Sequence, residues 1–190
     1  MKIKDIAGYC RNLMEGKKVL DIGCGRKKLT GAIGLDKIYL PGVDIVADLN
    51  IRLPFKDEEF ECVHADQVLE HVADITGLIY EIHRILKPGG AFIAHCPYFR
   101  SSWAHIDPTH LRTFTINSLD YFVIGTFYYR QYRFCEKGFS KIQVYLDKDY
   151  KQTVLRKFFR AIAMKNPYKF ENTFLSYAYP FEQISYLLVK

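Results

Sequence analysis

Two groups of residues in this chain of 190 residues could do chemistry. The first sets acids beside glycines. Asp21, Gly23, Cys24 and Gly25 lie together in VLDIGCGRKK, and Asp36, Asp48 and Asp66 each fall at or just past the end of a short apolar run. A carboxylate accepts hydrogen bonds from hydroxyls and amines, and a glycine without a Cβ lets a ligand approach the backbone. The second group is HIDPTH, with His105, Asp107 and His110. A His beside a carboxylate can act as a base with its orienting partner. H-x-D followed by another His can also ligate a metal. A loop stiffened by Pro108 and held by Asp and Thr turn bonds accounts for the same residues without chemistry. All three readings stand on the sequence, and no metal is assigned.

The elements that must position these groups alternate. Lys18–Ile22, Ala32–Leu35, Val43–Ala47, Phe60–Ala65, Ala91–Cys96, Lys141–Leu146 and Ile184–Val189 read as strands. Ile3–Met14, Ile75–Leu86, Ile116–Phe122 and Tyr150–Met164 have helical spacing, the last with a basic face. The expected class is therefore α/β, a Rossmann-like, mostly parallel, seven-stranded sheet in three layers, forming one domain over 1–190. Ligands of such sheets bind beyond the carboxyl ends of the strands, which is where the acids fall.

Composition narrows the possibilities. Nearly half the residues are hydrophobic, so a packed core is expected. No apolar run approaches the ~20 residues of a membrane span, and the polar N-terminal stretch does not resemble a signal peptide, so a cytoplasmic protein without a membrane partner is expected. The five cysteines are odd in number and widely spaced, which argues against a disulfide framework or a structural zinc site. The net charge of +6 comes from scattered lysines and arginines rather than a block.

The glycine turn lacks the parts of a dinucleotide cradle. G-x-G-x-x-G needs a third glycine where this chain has Lys28, and a full helix to hold the pyrophosphate. Only about ten residues separate the first two strands, short of an ordinary crossover. A nicotinamide-dependent dehydrogenase is excluded on that ground.

Between Lys17 and Tyr98 the chain resembles the class I S-adenosylmethionine-dependent methyltransferases, in particular the subgroup called type 11. The matching segments are VLDIGCG, the acid Asp36, ADL at Ala47–Leu49, FECVHADQVLEHV, and EIHRILKPGGAFIAHCP. The resemblance implies S-adenosylmethionine as cofactor. Asp21 would then face its methionyl amino group, Gly23, Cys24 and Gly25 its backbone approach, and Asp36 the ribose hydroxyls. Asp48 and Leu49 would flank the adenine, with Ala65 and Asp66 at the end of the fourth strand. His71, in LEH, would line the active site with His105, Asp107 and His110.

The resemblance implies methyl transfer to an acceptor, expected to be a small molecule. A cofactor-binding partner subunit without catalysis, or an RNA or protein methyltransferase, remain as alternatives. Nucleic-acid base methylation is disfavoured because HADQ stands where an Asn/Asp-Pro-Pro-Tyr/Phe motif would be needed. NPY at Asn166–Tyr168 reads as a helix stop. Two departures carry consequences. The first and second crossovers are too short for helices, which predicts a bare apolar face on the first three strands, covered in part by the Ile3–Met14 helix, and hence a homodimer or another partner, unless short turns and Tyr39 cover it. Lys28 either reaches the methionyl carboxylate or is solvated.

Overall fold

The computed structural model describes residues 16–133, 136–146 and 153–190. Seven strands form one sheet: β1 (Val19–Ile22), β2 (Ile33–Asp36), β3 (Ile45–Val46), β4 (Phe60–Asp66), β5 (Leu86–Pro97), β6 (Lys141–Leu146) and β7 (Gln183–Val189). Their order is β3-β2-β1-β4-β5-β7-β6. Neighbours from β3 through β5 are parallel, and β7 runs antiparallel between β5 and β6. The chain winds outward from β1 to β3 and then returns to β4 on the other side of β1. The switch point, where an open sheet leaves a crevice, therefore lies between β1 and β4.

The helices are α1 (Ile75–Ile85), α2 (Trp103–Ile106), α3 (Phe127–Tyr132), α4 (Val154–Lys165), α5 (Pro167–Glu171) and α6 (Leu175–Ala178). Helix α1 starts at Asp74, whose side chain accepts from Gly77 N at 2.8 Å. It buries Leu78, Ile79, Ile82 and Ile85 on one stripe. These residues join Leu20, Ile22, Val63, Phe92, Tyr186, Ala163 and Phe170 in the larger core on one face of the sheet. The alternate strand residues Val19, Cys62, Ile93 and Leu187 form a smaller core on the other face. The expected Ile3–Met14 helix lies outside the described residues, as do Cys10, Cys135 and the first residues of the Tyr150–Met164 helix.

Among the described residues no helix stands between β1 and β4, as the short first and second crossovers predict for β1 to β3. The first connection is closed by turns instead: Lys27 N donates to Cys24 O and Ala32 N to Leu29 O, each at 3.1 Å. The bare face expected on the first three strands is not seen on β1, all four of whose residues are buried. Tyr39 does not supply the cover, since it is 79% exposed. The apolar side chains exposed in this half, Ile38, Tyr39, Val46 and Ile51, follow β2, lie on β3 or follow it, and so sit at the sheet's edge. Two other expectations change. Ile116–Phe122 forms only a tight turn, Asp120–Phe122. Asn166 does not merely stop α4. It caps α5 by accepting from Lys169 N at 2.9 Å, with Pro167 in the first turn.

Candidate active site

The β1–β2 loop turns tightly because Gly23 and Gly25 both take positive φ, 61° and 51°. A Cβ on Gly23 would stand 2.5 Å from Val68 Cγ2, so this glycine sets the loop directly against the segment after β4. Gly25 differs, because a Cβ there would meet no atom within 4 Å. Its backbone borders open space. Asp36, at the end of β2, accepts from Gly25 N at 2.9 Å through Oδ2 and from Ile38 N at 3.1 Å through Oδ1. It is half-buried, and each carboxylate oxygen retains acceptor capacity. Cys24 is buried beneath the turn, its N–H donating to Leu35 O at 3.1 Å. Burial pushes its thiol up, and the Asp21 and Asp36 carboxylates add to the shift.

Asp21 lies deeper than the ligand role drawn for it from the resemblance. It is 3% exposed. Its Oδ2 accepts from Leu29 N, and its Oδ1 lies 2.8 Å from His64 Nδ1, also buried. An ionised carboxylate only accepts, so the imidazole donates from Nδ1. The His64 ring packs edge-on to His95 with centroids 5.4 Å apart, and His95 Nδ1 meets Ser185 Oγ at 2.7 Å. This buried polar row crosses β1, β4, β5 and β7 and anchors the glycine turn from below. Lys28 also differs from expectation: its Nζ pairs with Asp44 Oδ2 at 2.7 Å, and the same oxygen accepts from Gly34 N. Those two hydrogen bonds hold the Asp44 carboxyl below the usual carboxylate range, the backbone bond most.

Asp48 bends its own turn, accepting from Asn50 N at 2.9 Å and Asn50 Nδ2 at 2.8 Å, and these bonds lower its carboxyl. Leu49 beside it is half-buried. Ala65 is buried within β4, and Asp66, the last residue of β4, is exposed. Gln67 then takes a left-handed φ of 57°, with its N–H bonded to His95 O at 2.9 Å. This unusual backbone for a non-glycine residue starts the reversal into the turn Leu69–His71.

The HIDPTH segment does not act as one unit. His105 is exposed, with Nε2 3.1 Å from Phe99 O, and Asp107 Oδ1 is engaged by Thr109 N at 2.8 Å and Thr109 Oγ1 at 2.7 Å. Those bonds lower the Asp107 carboxyl, and they are the Asp and Thr turn bonds of one of the three readings the sequence left open. The rest of the segment folds onto the LEH turn. Leu111 N donates to Glu70 O at 2.8 Å. The Arg112 guanidinium donates to the carbonyls of Leu69, Val72 and Ala73. His71 and His110 stack edge-on at 4.7 Å, and Thr109 Oγ1 reaches His71 Nδ1 at 3.0 Å.

Sequence reasoning passed over Glu70. It is fully buried, and among the described residues neither carboxylate oxygen has a hydrogen-bond partner. Burial pushes its carboxyl up to about 7, and the Asp66 and Asp107 charges add to that. One ligand-capable atom from each of Glu70, His71 and His110 lies within 4.8 Å of the others. The available signal was the Glu-His pair in LEH. Arg112 gave none.

The methyltransferase-domain family model matches residues 36–94, from the end of β2 into β5. The chain is 35% identical over 112 residues to an uncharacterized methyltransferase of Synechocystis sp., covering 49% of this chain and 53% of that protein. It is 32% identical over 99 residues to a ubiquinone biosynthesis O-methyltransferase of Pseudomonas syringae, covering 40% and 43%. The chain thus spans about half the length of these curated relatives. A solved S-adenosylmethionine-dependent methyltransferase from Archaeoglobus fulgidus shares the fold, with TM-score 0.63 at 16% identity over 97% of this chain and 91% of that one. The methyltransferase-domain model thus matches one stretch of the chain, from Asp36 to Ala94, and the seven-stranded order is the fold of that solved S-adenosylmethionine-dependent methyltransferase.

Proposed function

We propose that this chain transfers the methyl group of S-adenosylmethionine to a small-molecule acceptor. The observation that carries the reading is the Gly25–Asp36 pair. An open backbone position faces a half-buried carboxylate at the end of β2, beside the switch point. Two ribose hydroxyls can donate to Asp36, while Asp48 and Leu49 offer an acceptor and an apolar edge for the adenine. Asp66 stands exposed at the end of β4 and offers a further acceptor at that edge. Asp21 acts from beneath as a positioning residue, fixing the loop through Leu29 N and His64.

The cofactor supplies an electrophilic methyl on a sulfonium, and transfer is an in-line displacement whose electron pair leaves on sulfur. The chain's own work is alignment and exclusion of water. The LEH turn and the HIDPTH segment border the same edge, and a proton released by a hydroxyl acceptor would be taken there by His71 or His110. Trp103, Ile106 and Leu111 are exposed apolar side chains of that segment and suit an acceptor with apolar surface. The relative named for O-methylation in ubiquinone biosynthesis supports a small molecule over a nucleic acid.

Calorimetry with S-adenosylmethionine tests the reading. Wild type binds, NADH does not, and Asp36→Ala weakens binding by about 1.5–3 kcal/mol, the scale for a charged hydrogen-bond partner. Wild-type affinity in Asp36→Ala would remove Asp36 from the ribose site. Transfer of label from methyl-labelled cofactor to a compound in cell extract separates an enzyme from a binding subunit.

A further inference from the structure

We infer that Glu70, His71 and His110 hold a divalent transition-metal cation beside the proposed methyl-transfer site. Three observations converge. One donor atom from each residue lies within 4.8 Å of the others, close enough to converge on one ion with small side-chain adjustment. The Glu70 carboxylate is fully buried and, among the described residues, has no hydrogen-bond partner for either oxygen. A dry, unpaired carboxylate is costly, and a cation bound between the two rings would offset that cost.

The third observation is the orientation of the imidazoles. His110 Nδ1 lies 3.3 Å from Ala104 O, an acceptor only, so the proton sits on Nδ1. Thr109 Oγ1 donates to the Asp107 carboxylate, which leaves its lone pair for an N–H from His71 Nδ1. Both rings are thereby fixed with Nε2 as the bare nitrogen. Metal-binding histidines are oriented in this way, with the second nitrogen donating to a carbonyl or, through a neighbour, to a carboxylate. Asp107 and Thr109 thus act as positioning residues for the ligand His71. In this structure the H-x-D-P-T-H segment supplies one ligand and the supports for another, while His105 takes no part.

Two imidazoles and one carboxylate suit zinc, cobalt, iron(II) or manganese rather than calcium or magnesium. Three protein ligands leave positions for water or for an acceptor oxygen. The second possibility rests on the methyltransferase reading and, with the cation bound, takes over the base role of His71 and His110: a hydroxyl bound to the cation would lose its proton to solvent at lower pH and attack as the alkoxide or phenolate.

Cobalt(II) titration of the chelator-treated full chain, followed by visible absorption, tests the site. One equivalent should produce a saturable d–d band that zinc abolishes by competition. Glu70→Gln and His110→Ala should each weaken binding by about tenfold or more, the lower bound set by what mere supporting residues cost. His105→Ala should leave it unchanged. Circular dichroism checks that each variant is folded, and should one fail, His71→Asn, at an exposed ring, carries the test. Absence of a saturable band in wild type, or equal binding in Glu70→Gln and wild type, would overturn the inference. The calorimetry with S-adenosylmethionine runs alongside. Cofactor binding without cobalt binding leaves the methyltransferase reading standing and removes the cation; the converse result does the opposite.

Discussion

Glu70 and Glu81 lie one turn and one helix apart, both largely out of solvent, in opposite electrostatic states. Glu81, on α1, receives Arg84 Nε at 2.9 Å, Arg84 Nη2 at 2.7 Å and Leu53 N at 2.9 Å. Arg84 spends its remaining donors on Phe55 O, Leu53 O and Asp57. That network pins the connection between β3 and β4 to α1, and every member has a partner. Glu70 is more deeply buried, and among the described residues its carboxylate oxygens have none. A fold stabilises itself through satisfied groups, and Glu81 serves that purpose. Glu70 costs stability where it stands, which marks it as a group kept for binding or chemistry.

The comparison can be broken by mutation. Arg84→Ala should have the largest effect, lowering unfolding free energy by about 2–4 kcal/mol in chemical denaturation, because it strands a mostly buried carboxylate and two carbonyls. A loss below about 1 kcal/mol would show that the network is ornamental and the contrast empty. Glu70→Gln in the metal-free chain should move the other way, gaining roughly 1–2 kcal/mol at pH 8, since a neutral amide is cheaper to bury than an unpaired charge. A clear loss there would reveal a stabilising partner for Glu70.

The smallest effect concerns acid. Arg84 holds the Glu81 carboxyl below its ordinary value of 4.5, with the Leu53 N–H assisting after burial is counted against it. A depressed folded pKa stabilises the protein above that ordinary value. The contribution is lost as pH falls below it and through the lowered folded value. Glu81→Gln should therefore differ from wild type at pH 6 and converge on it toward pH 3, measured by urea midpoints. A constant gap across that range would mean that packing rather than charge accounts for Glu81.

The resemblance and the periodicity located the sheet well because both rest on local signals. Alternating apolar runs gave all seven strands to within a few residues, except that β5 begins at Leu86 and so absorbs the KPGG turn. Asp36 and Gly25 were each legible because each falls where a strand meets a turn, while the bond between them was not. Asp21 was placed at the right strand end, but its burial could not be read, since its partner His64 is 43 residues away. The same distance in sequence hid Arg112 on Leu69 O.

By itself the sequence determined the α/β class, the lack of crossover helices between β1 and β3, and the acids at the carboxyl edge. These follow from spacing along one segment, where backbone geometry dictates which residues share a face. Only the tertiary structure decided what each polar group touches. It sent Lys28 to Asp44, chose the Asp107–Thr109 turn bonds among the three readings of HIDPTH, and brought His110 back beside Glu70 and His71. The physical reason is that a polar side chain's role depends on whether it is dry and partnered, and both are set by segments distant in the chain that pack against it.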